Sequence, residues 1–228
     1  LKVHTTKAAS AVITASYGPV VQNVTVTVAD GRFWYSLGNG LGNGLDNNWY
    51  LDGNNASVVS SDGNKTTVQM GSGYRGDLWL ARSGKGKIVN VTPADYRYFA
   101  IKVGFKSQLV PGKNKPNGCI KLEIFDDGIK KIGPEYFGTG GDANNRYEIL
   151  GASEISTTEP NVLYYDLQSK YKTVTPTDWN QVFDLVQCKF VIADFPETAQ
   201  TYDLYWIRSF KSIEELQAFV DSENNTNE

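Results

Sequence analysis

Alternation of apolar and polar residues with a period of two is the feature that most constrains how this chain can fold. It recurs in segments rich in Val, Thr, Tyr, Phe and Trp, and Gly, Asn, Asp or Pro interrupts it at short intervals. The alternating segments are residues 20–28, 32–37, 65–70, 77–81, 98–105, 120–125, 162–167, 188–193 and 202–208. Such segments are typical of half-buried strands joined by tight turns. Because helical patterns do not alternate with these strands, the sequence predicts an all-β protein, an antiparallel β-sandwich.

One short helix is predicted near the C-terminus. Ser212 is followed three residues later by Glu215, which is the spacing of a capping box. The apolar residues that then recur on one helical face are Ile213, Leu216 and Val220. We expect this helix to cover an end of the sandwich. Residues 221–228 are polar and are predicted to be a linker or tail, so residues 1–220 are predicted to form a single domain.

Charge and hydropathy argue against several classes of partner. The 22 Lys and Arg residues against 25 Asp and Glu residues give a net charge of −3, with no block of like charge. Proteins that bind nucleic acids or anionic membranes carry basic patches, so neither partner is expected. No apolar run approaches the roughly 20 residues that span a bilayer. Since the chain begins without Met and without a signal-peptide pattern, we expect a mature fragment or an excised domain. The polar residues 221–228 lead us to expect a covalently linked neighbour domain.

The motifs of common enzyme classes are missing or misplaced. The segment from Gly71 to Gly76 matches a dinucleotide fingerprint but leads into a strand pattern, where such a site needs a helix. The single histidine, His4, lies in a terminal segment, which argues against a catalytic triad. Glu123 and Asp126 are a nearby pair of carboxylates, but a strand points them to opposite faces. We therefore expect a protein that is not an enzyme, although carboxylates distant in sequence leave a glycoside hydrolase open.

Aromatic residues in turn-rich segments are the candidate binding residues. Five Trp and 13 Tyr exceed what a core of this size requires. A sugar presents an apolar C–H face and a rim of hydroxyl groups, so a ring beside Asp, Asn or Arg suits it. We predict that Trp49 and Trp79 are stacking platforms and that Tyr50 and Tyr74 flank them. The predicted hydroxyl partners are Asp46, Asn48, Arg75 and Asp77.

The Gly-rich segment of residues 38–55 contains part of this predicted site. It lies between two strand patterns and is predicted to be a long binding loop. Its Asp46, Asn48 and Asp52 are also candidate ligands of a structural calcium ion, although their spacing is not that of an EF-hand. No other cofactor is expected. By contrast, the mid-strand residues Trp34 and Trp206 are predicted to pack inside the sandwich.

The C-terminal half resembles a known family. The matching segments are residues 74–78, 98–103, 164–167, 190–195 and 205–216, the last of which reads YWIRSFKSIEEL. Over residues 70–220 they are similar to a family of domains of unknown function found in glycan-degrading proteins of Bacteroidetes. The resemblance implies a jelly roll of the galactose-binding-like kind, as in carbohydrate-binding modules. It also implies a secreted, cell-surface or periplasmic protein, appended to a glycoside hydrolase.

Three functions remain open at this point. The first is a non-catalytic carbohydrate-binding module that holds a plant β-glycan, either xylan or β-glucan, near a linked enzyme, where tethering compensates for weak affinity per site. The second is a structural or interaction spacer in which the aromatic residues only form the core. The third is a sandwich-fold glycoside hydrolase or lyase.

Overall fold

The computed structural model describes residues 9–28, 32–42, 49–51, 56–71, 76–82, 85–86, 89–91, 95–108, 121–126, 130–131, 147–167, 183–192 and 200–225. The first element within these ranges is a hairpin of β1 (Ala9–Tyr17) and β2 (Val20–Val28). Gly18 has a φ of 58° in its two-residue turn, a conformation that favours glycine. Among the described strands, β1 and β2 pair only with each other. The single domain over residues 1–220 therefore stays a prediction.

Two sheets form the body of the fold. The first sheet contains β3 (Trp34–Ser36), β5 (Ala56–Ser61), β6 (Thr66–Met70), β10 (Tyr98–Phe105), β13 (Glu148–Ile149), β14 (Asn161–Asp166) and β16 (Thr201–Phe210). The second sheet contains β4 (Tyr50–Leu51), β7 (Gly76–Arg82), β8 (Lys85–Gly86), β9 (Val89–Val91), β11 (Lys121–Asp126), β12 (Lys130–Lys131) and β15 (Phe183–Ile192).

The strand order is that of a jelly roll. The first sheet runs β13-β14-β10-β16-β6-β5 and the second runs β12-β11-β15-β7-β4. The chain passes from β6 in the first sheet to β7 in the second, and later passes from β15 in the second sheet back to β16 in the first. Within the sheets, β6 pairs with β16 and β7 pairs with β15, and both pairs are antiparallel. Early strands thus lie beside late ones in both sheets, which is the arrangement of a double-sheet jelly roll. The predicted antiparallel β-sandwich is confirmed.

The main core lies between the two sheets. Alternate residues of β10 face inward, as the period-two pattern predicts, and residues of β7, β11 and β15 meet them from the second sheet. These buried residues are Phe99, Ile101, Val103, Phe105, Leu78, Leu80, Leu122 and Phe190. The intervening residues of β10 therefore lie on the outer face of the first sheet, where the candidate site is found.

The predicted helix is present as α1 (Ile213–Asn225), and its cap is confirmed. The N–H of Glu215 donates to Ser212 Oγ at 3.2 Å. The Glu215 carboxylate in turn accepts from the N–H of Lys211 at 2.7 Å, so two donors at the helix start are satisfied. No helix among the described residues is long and apolar enough to cross a membrane.

The position and length of α1 differ from the prediction. The helix packs on the outer face of the first sheet, where Leu216 joins Ala100, Trp206 and Phe210 in a second buried cluster, and does not close an end of the sandwich. It also continues through residues 221–225, which were predicted to be linker. The continuation has a physical reason, because Glu223 in its last turn forms ion pairs with the sheet below.

Candidate functional site

Three of the predicted binding residues come together on the second sheet. Tyr50 is opposite Trp79 in the register of β4 and β7, and Asp77 lies on the same side of β7 as Trp79. The structure adds Lys189, whose Nζ lies 2.9 Å from Asp77 Oδ2 and 4.4 Å from the centroid of the Trp79 ring. Trp79 is only 5% exposed, so it has no free face for a sugar and its predicted platform role is corrected. The group is a buried ion pair with an aromatic neighbour.

Trp49 is a core residue. It is fully buried, and its ring meets Tyr35 edge-on at a centroid distance of 5.9 Å and Phe190 at 5.8 Å. Its neighbour Tyr50 lies on β4 and is only partly buried, so the alternation of a strand sends the two rings to opposite sides. The prediction that Trp49 is a stacking platform is therefore wrong.

The remaining predicted residues lie outside the described ranges. These are Asp46, Asn48, Tyr74 and Arg75, together with the calcium candidate Asp52. Within the described ranges, no group of three or more His, Cys, Asp or Glu residues is placed to hold a metal ion. The calcium site stays a prediction.

The two mid-strand tryptophans lie on the outer face of the first sheet rather than inside the sandwich. Trp206 is buried in the cluster beneath α1, where its ring meets Phe219 edge-on at 5.6 Å. Trp34 is 41% exposed, and the guanidinium groups of Arg32 and Arg208 lie 3.9 and 4.4 Å from its ring centroid. Sequence alternation could not tell these residues from inward-facing ones, because α1 makes part of the outer face apolar.

A groove of about 820 Å³ crosses this outer face beside the C-terminal half of α1. Side chains of β10 and β16 line it, and its other walls come from α1, from the turns around residues 38 and 63, and from residues 159–160. The principal lining side chains are Lys102, Tyr205, Trp206, Arg208 and Glu223. The groove combines aromatic rings with charged groups, and it is the candidate functional site.

A β-bulge brings two neighbouring aromatic residues to the groove. The register of β10 against β16 shifts between Lys102, which pairs with Trp206, and Val103, which pairs with Leu204, so Tyr205 is the extra residue. Bulges re-aim side chains in this way. Tyr205 and Trp206 consequently both line the groove, although a regular strand would send them to opposite faces.

The Tyr205 ring lies against the backbone of β10 at Gly104. A methyl group on Gly104 would be in ordinary van der Waals contact with the ring, at 3.6 Å from Tyr205 Cε2 and 3.7 Å from its hydroxyl oxygen. Lys102 Nζ lies 5.6 Å from the ring centroid. Partial burial raises the pKa of the Tyr205 phenol, so its hydroxyl keeps its proton and can donate a hydrogen bond.

One wall of the groove depends on a close approach of two glycines. The N–H of Gly63 donates to the carbonyl of Gly38 at 3.0 Å. A Cβ on Gly38 would lie 2.2 Å from the Gly63 carbonyl oxygen, which no side chain can tolerate, and Gly63 has a φ of 90°. Gly38, at the start of the predicted binding loop, therefore shapes this wall together with Gly63.

Glu223 holds the groove's charged groups in place. Its Oε2 accepts from Lys102 Nζ at 3.1 Å and from Trp206 Nε1 at 3.0 Å, and its Oε1 lies 3.5 Å from Arg208 Nη1. These contacts tie α1 to β10 and β16. Side chains that are already fixed lose little conformational entropy when a ligand arrives.

A second acid lies beside Tyr205. Asp203 Oδ2 lies 2.8 Å from Lys65 Nζ and 2.9 Å from Lys106 Nζ, and its Oδ1 accepts from Thr67 Oγ1 at 2.7 Å. Burial raises the pKa of Asp203, but the hydrogen bonds from Lys65, Lys106 and Thr67 outweigh it, and the net pKa is lowered. Asp203 therefore stays ionised beneath two ammonium groups.

The lowered pKa of Asp203 predicts how the stability of the fold depends on pH. Because the folded state binds the Asp203 proton less readily than the unfolded state, the stabilisation is complete above the ordinary value of 3.8 and is lost as the pH falls below it. Asp203→Asn is expected to cost about 2 kcal/mol of unfolding free energy at neutral pH. Urea unfolding of both proteins should show a constant difference at neutral and weakly acidic pH, and a shrinking one below 3.8. A difference that stays constant below that pH would contradict the assignment.

Sequence reasoning missed these groove residues, although one signal was present. The apolar strand β10 carries Lys102 and Gly104 at alternate positions, and Lys106 follows two residues later. A glycine between two lysines on the polar side of a central strand indicates a place where something approaches the backbone closely. The bulge at Tyr205 has no comparable signal, because it depends on strand pairing.

Comparison with known proteins identifies the family. No curated protein matches the chain significantly. Among solved structures, a low-affinity xylan-binding module, CBM86, from the gut symbiont Roseburia intestinalis is 13% identical, with a TM-score of 0.33, covering 91% of this chain and 98% of that one. A likeness this weak carries no argument about this chain. The model of a domain of unknown function, DUF4979, matches residues 40–216, and therefore begins 30 residues before the resemblance seen in the sequence. The chain belongs to the DUF4979 family.

Proposed function

We propose that this chain is a non-catalytic carbohydrate-binding domain that holds a plant β-glycan, xylan or β-glucan, in the groove on the outer face of its first sheet. In this proposal a covalently linked neighbour acts on the captured glycan outside the cell or in the periplasm. The residues that hold the glycan are those of the groove, and Trp49 and Trp79 serve the fold.

The observation that carries the proposal is the placement of Tyr205. Its ring is partly exposed, lies against Gly104 and lines the groove, with Lys102 at one side. An aromatic ring in such a position can stack against the C–H face of a sugar. Lys102, Arg208 and Asn64 also line the groove and offer N–H donors for the hydroxyl groups around that face.

Two features favour binding over catalysis. The groove is open and lies across a sheet, which suits a polymer passing through it. Of the two acids that line it, Glu223 faces N–H groups of Lys102, Trp206 and Arg208, so it is an acceptor in the resting structure rather than a proton donor. Glycoside hydrolysis needs one carboxylic acid that donates a proton and a second carboxylate facing it across the bond.

Replacing Tyr205 should weaken glycan binding without unfolding the chain. Tyr205→Ala is expected to lower affinity for xylan or β-glucan about tenfold, the loss of about one stacking contact. Affinity gel electrophoresis through a panel of plant polysaccharides measures this as lost retardation. Tyr17→Ala is the matched control, because Tyr17 is 90% exposed on the separate hairpin and should leave retardation unchanged.

The same gels distinguish the alternatives. If no polysaccharide retards the unaltered chain, the domain is a spacer and the proposal fails. If a polysaccharide retards the Tyr205→Ala chain as strongly as the unaltered one, the glycan binds elsewhere. Release of reducing sugar from any retarding polysaccharide would instead identify a hydrolase.

A further inference from the structure

In the two groups of ion pairs near Tyr205, basic side chains outnumber acids. Lys65 and Lys106 share the single carboxylate of Asp203, and Lys102 and Arg208 share that of Glu223. Asp203 is 1% exposed, whereas the side chain of Lys106 is 52% exposed. The Asp203 carboxylate is therefore buried beneath Lys65 and Lys106, and Lys106 is exposed to solvent.

Arg208 is the least compensated of these cations. Its side chain is 12% exposed, its Nε is buried without a hydrogen-bond partner, and its contact with Glu223 is a long 3.5 Å. Its guanidinium carbon also lies 4.5 Å from the ring centroid of Phe219. Burial lowers the pKa of Arg208, and the attraction of Glu223 does not offset it. Arg208 lines the groove and has one long ion pair, so a carboxylate that reaches its guanidinium group there would be bound favourably.

Two other acids near the groove, Asp62 and Glu159, are expected to repel an anionic ligand only weakly. The Asp62 carboxylate accepts from the N–H groups of Asn64 and Lys65 at 2.9 and 2.8 Å, so it is directed toward its own turn. Glu159 lines the groove and is exposed. Water and salt screen an exposed charge far more than a buried one.

We propose that the groove selects a β-glycan that carries uronic acid, and that Arg208, helped by Lys102, binds the uronate carboxylate. This inference rests on the proposed function and narrows it to an acidic xylan rather than a neutral β-glucan. The guanidinium group is planar and presents its N–H donors in a fork that matches the two oxygens of a carboxylate, and such charge-assisted pairs are stronger than bonds to neutral hydroxyls.

A comparison of two forms of one polysaccharide tests this. Native glucuronoxylan and its carboxyl-reduced form differ only at the C6 position of each glucuronic acid, where a carboxylate has become a neutral hydroxymethyl group. Isothermal titration at low salt should show about tenfold tighter binding of the native form. The preference should shrink as NaCl is added, because an ion pair is screened. Equal affinity for both forms would overturn the inference while leaving the proposed function intact. Binding of neither form would also overturn the inference, and it would overturn the proposed function only if β-glucan fails to retard the chain as well.

Variants of the groove residues test which side chain binds the uronate carboxylate of the glycan. Arg208→Lys keeps the positive charge but loses the guanidinium fork, and is expected to reduce the preference for native xylan to about twofold, because affinity for the native form falls more than affinity for the reduced form. Lys211→Gln removes an exposed cation outside the groove and should change neither affinity. Thermal melting of each variant confirms folding, and if Arg208→Lys melts early, Lys102→Gln takes its place with the same expected direction. An undiminished preference in a folded groove variant would contradict the assignment.

Discussion

Asp77→Ala is expected to lower the free energy of unfolding by about 3–5 kcal/mol. The substitution removes the carboxylate that pairs with Lys189, whose ammonium lies 2.9 Å from Asp77 Oδ2 and whose side chain is 8% exposed. A cation buried at this depth without its carboxylate has lost its solvation and its ion pair together. Urea unfolding followed by circular dichroism at neutral pH measures the change.

The matched control replaces both partners. Asp77→Leu combined with Lys189→Met leaves no charge behind, so it should restore most of the stability lost in Asp77→Ala. Its Met side chain can still pack against Trp79, which Lys189 contacts at 4.4 Å. If Asp77→Ala costs less than about 1 kcal/mol, water reaches Lys189 freely and the pair is not the buried one described, because exposed pairs contribute about that much or less.

Trp49→Ala is expected to cost about 3–5 kcal/mol, because it removes a fully buried indole between Tyr35 and Phe190 and leaves a cavity. Trp49→Phe keeps a ring in the same space and should cost clearly less. Thermal melts and urea titrations of both variants rank them directly.

The binding behaviour of these variants separates core from site. Trp49→Phe, which stays folded, should bind polysaccharide as the unaltered chain does. Loss of affinity in a fully folded Trp49→Phe chain would show that the ring contacts the glycan after all, and the assignment of Trp49 to the core would then be wrong.

Much of the fold could be predicted from local patterns. The alternation in β10 identifies Phe99, Ile101 and Val103 as inward-facing, and the spacing of Ser212 and Glu215 identifies the start of α1. Both are short-range effects, set by the geometry of a strand and by the unsatisfied donors of a helix start. The place where α1 docks is a long-range property, and the sequence pattern of the helix does not contain it.

The site was harder to predict because burial and pairing decide it. Tyr50 and Trp79 do lie side by side on one face of the second sheet, as a shared binding site requires, but Trp79 is buried. In the sequence, Tyr205 stands in the segment of residues 205–216 that carries the family resemblance, and the bulge opposite Lys102 is what turns it into the groove. Which aromatic residues are exposed depends on what lies above each sheet, and composition gives no information about that.

The central claim is that the glycan lies in the groove of the first sheet, and a nuclear magnetic resonance titration tests it most directly. Addition of a xylo-oligosaccharide to the isotope-labelled chain should shift the backbone amides of Asn64, Gly104 and Tyr205, and leave those of Tyr50, Trp79 and Lys189 unchanged. Shifts confined to Tyr50, Trp79 and Lys189, with Gly104 and Tyr205 unaffected, would contradict the account and return the site to the second sheet.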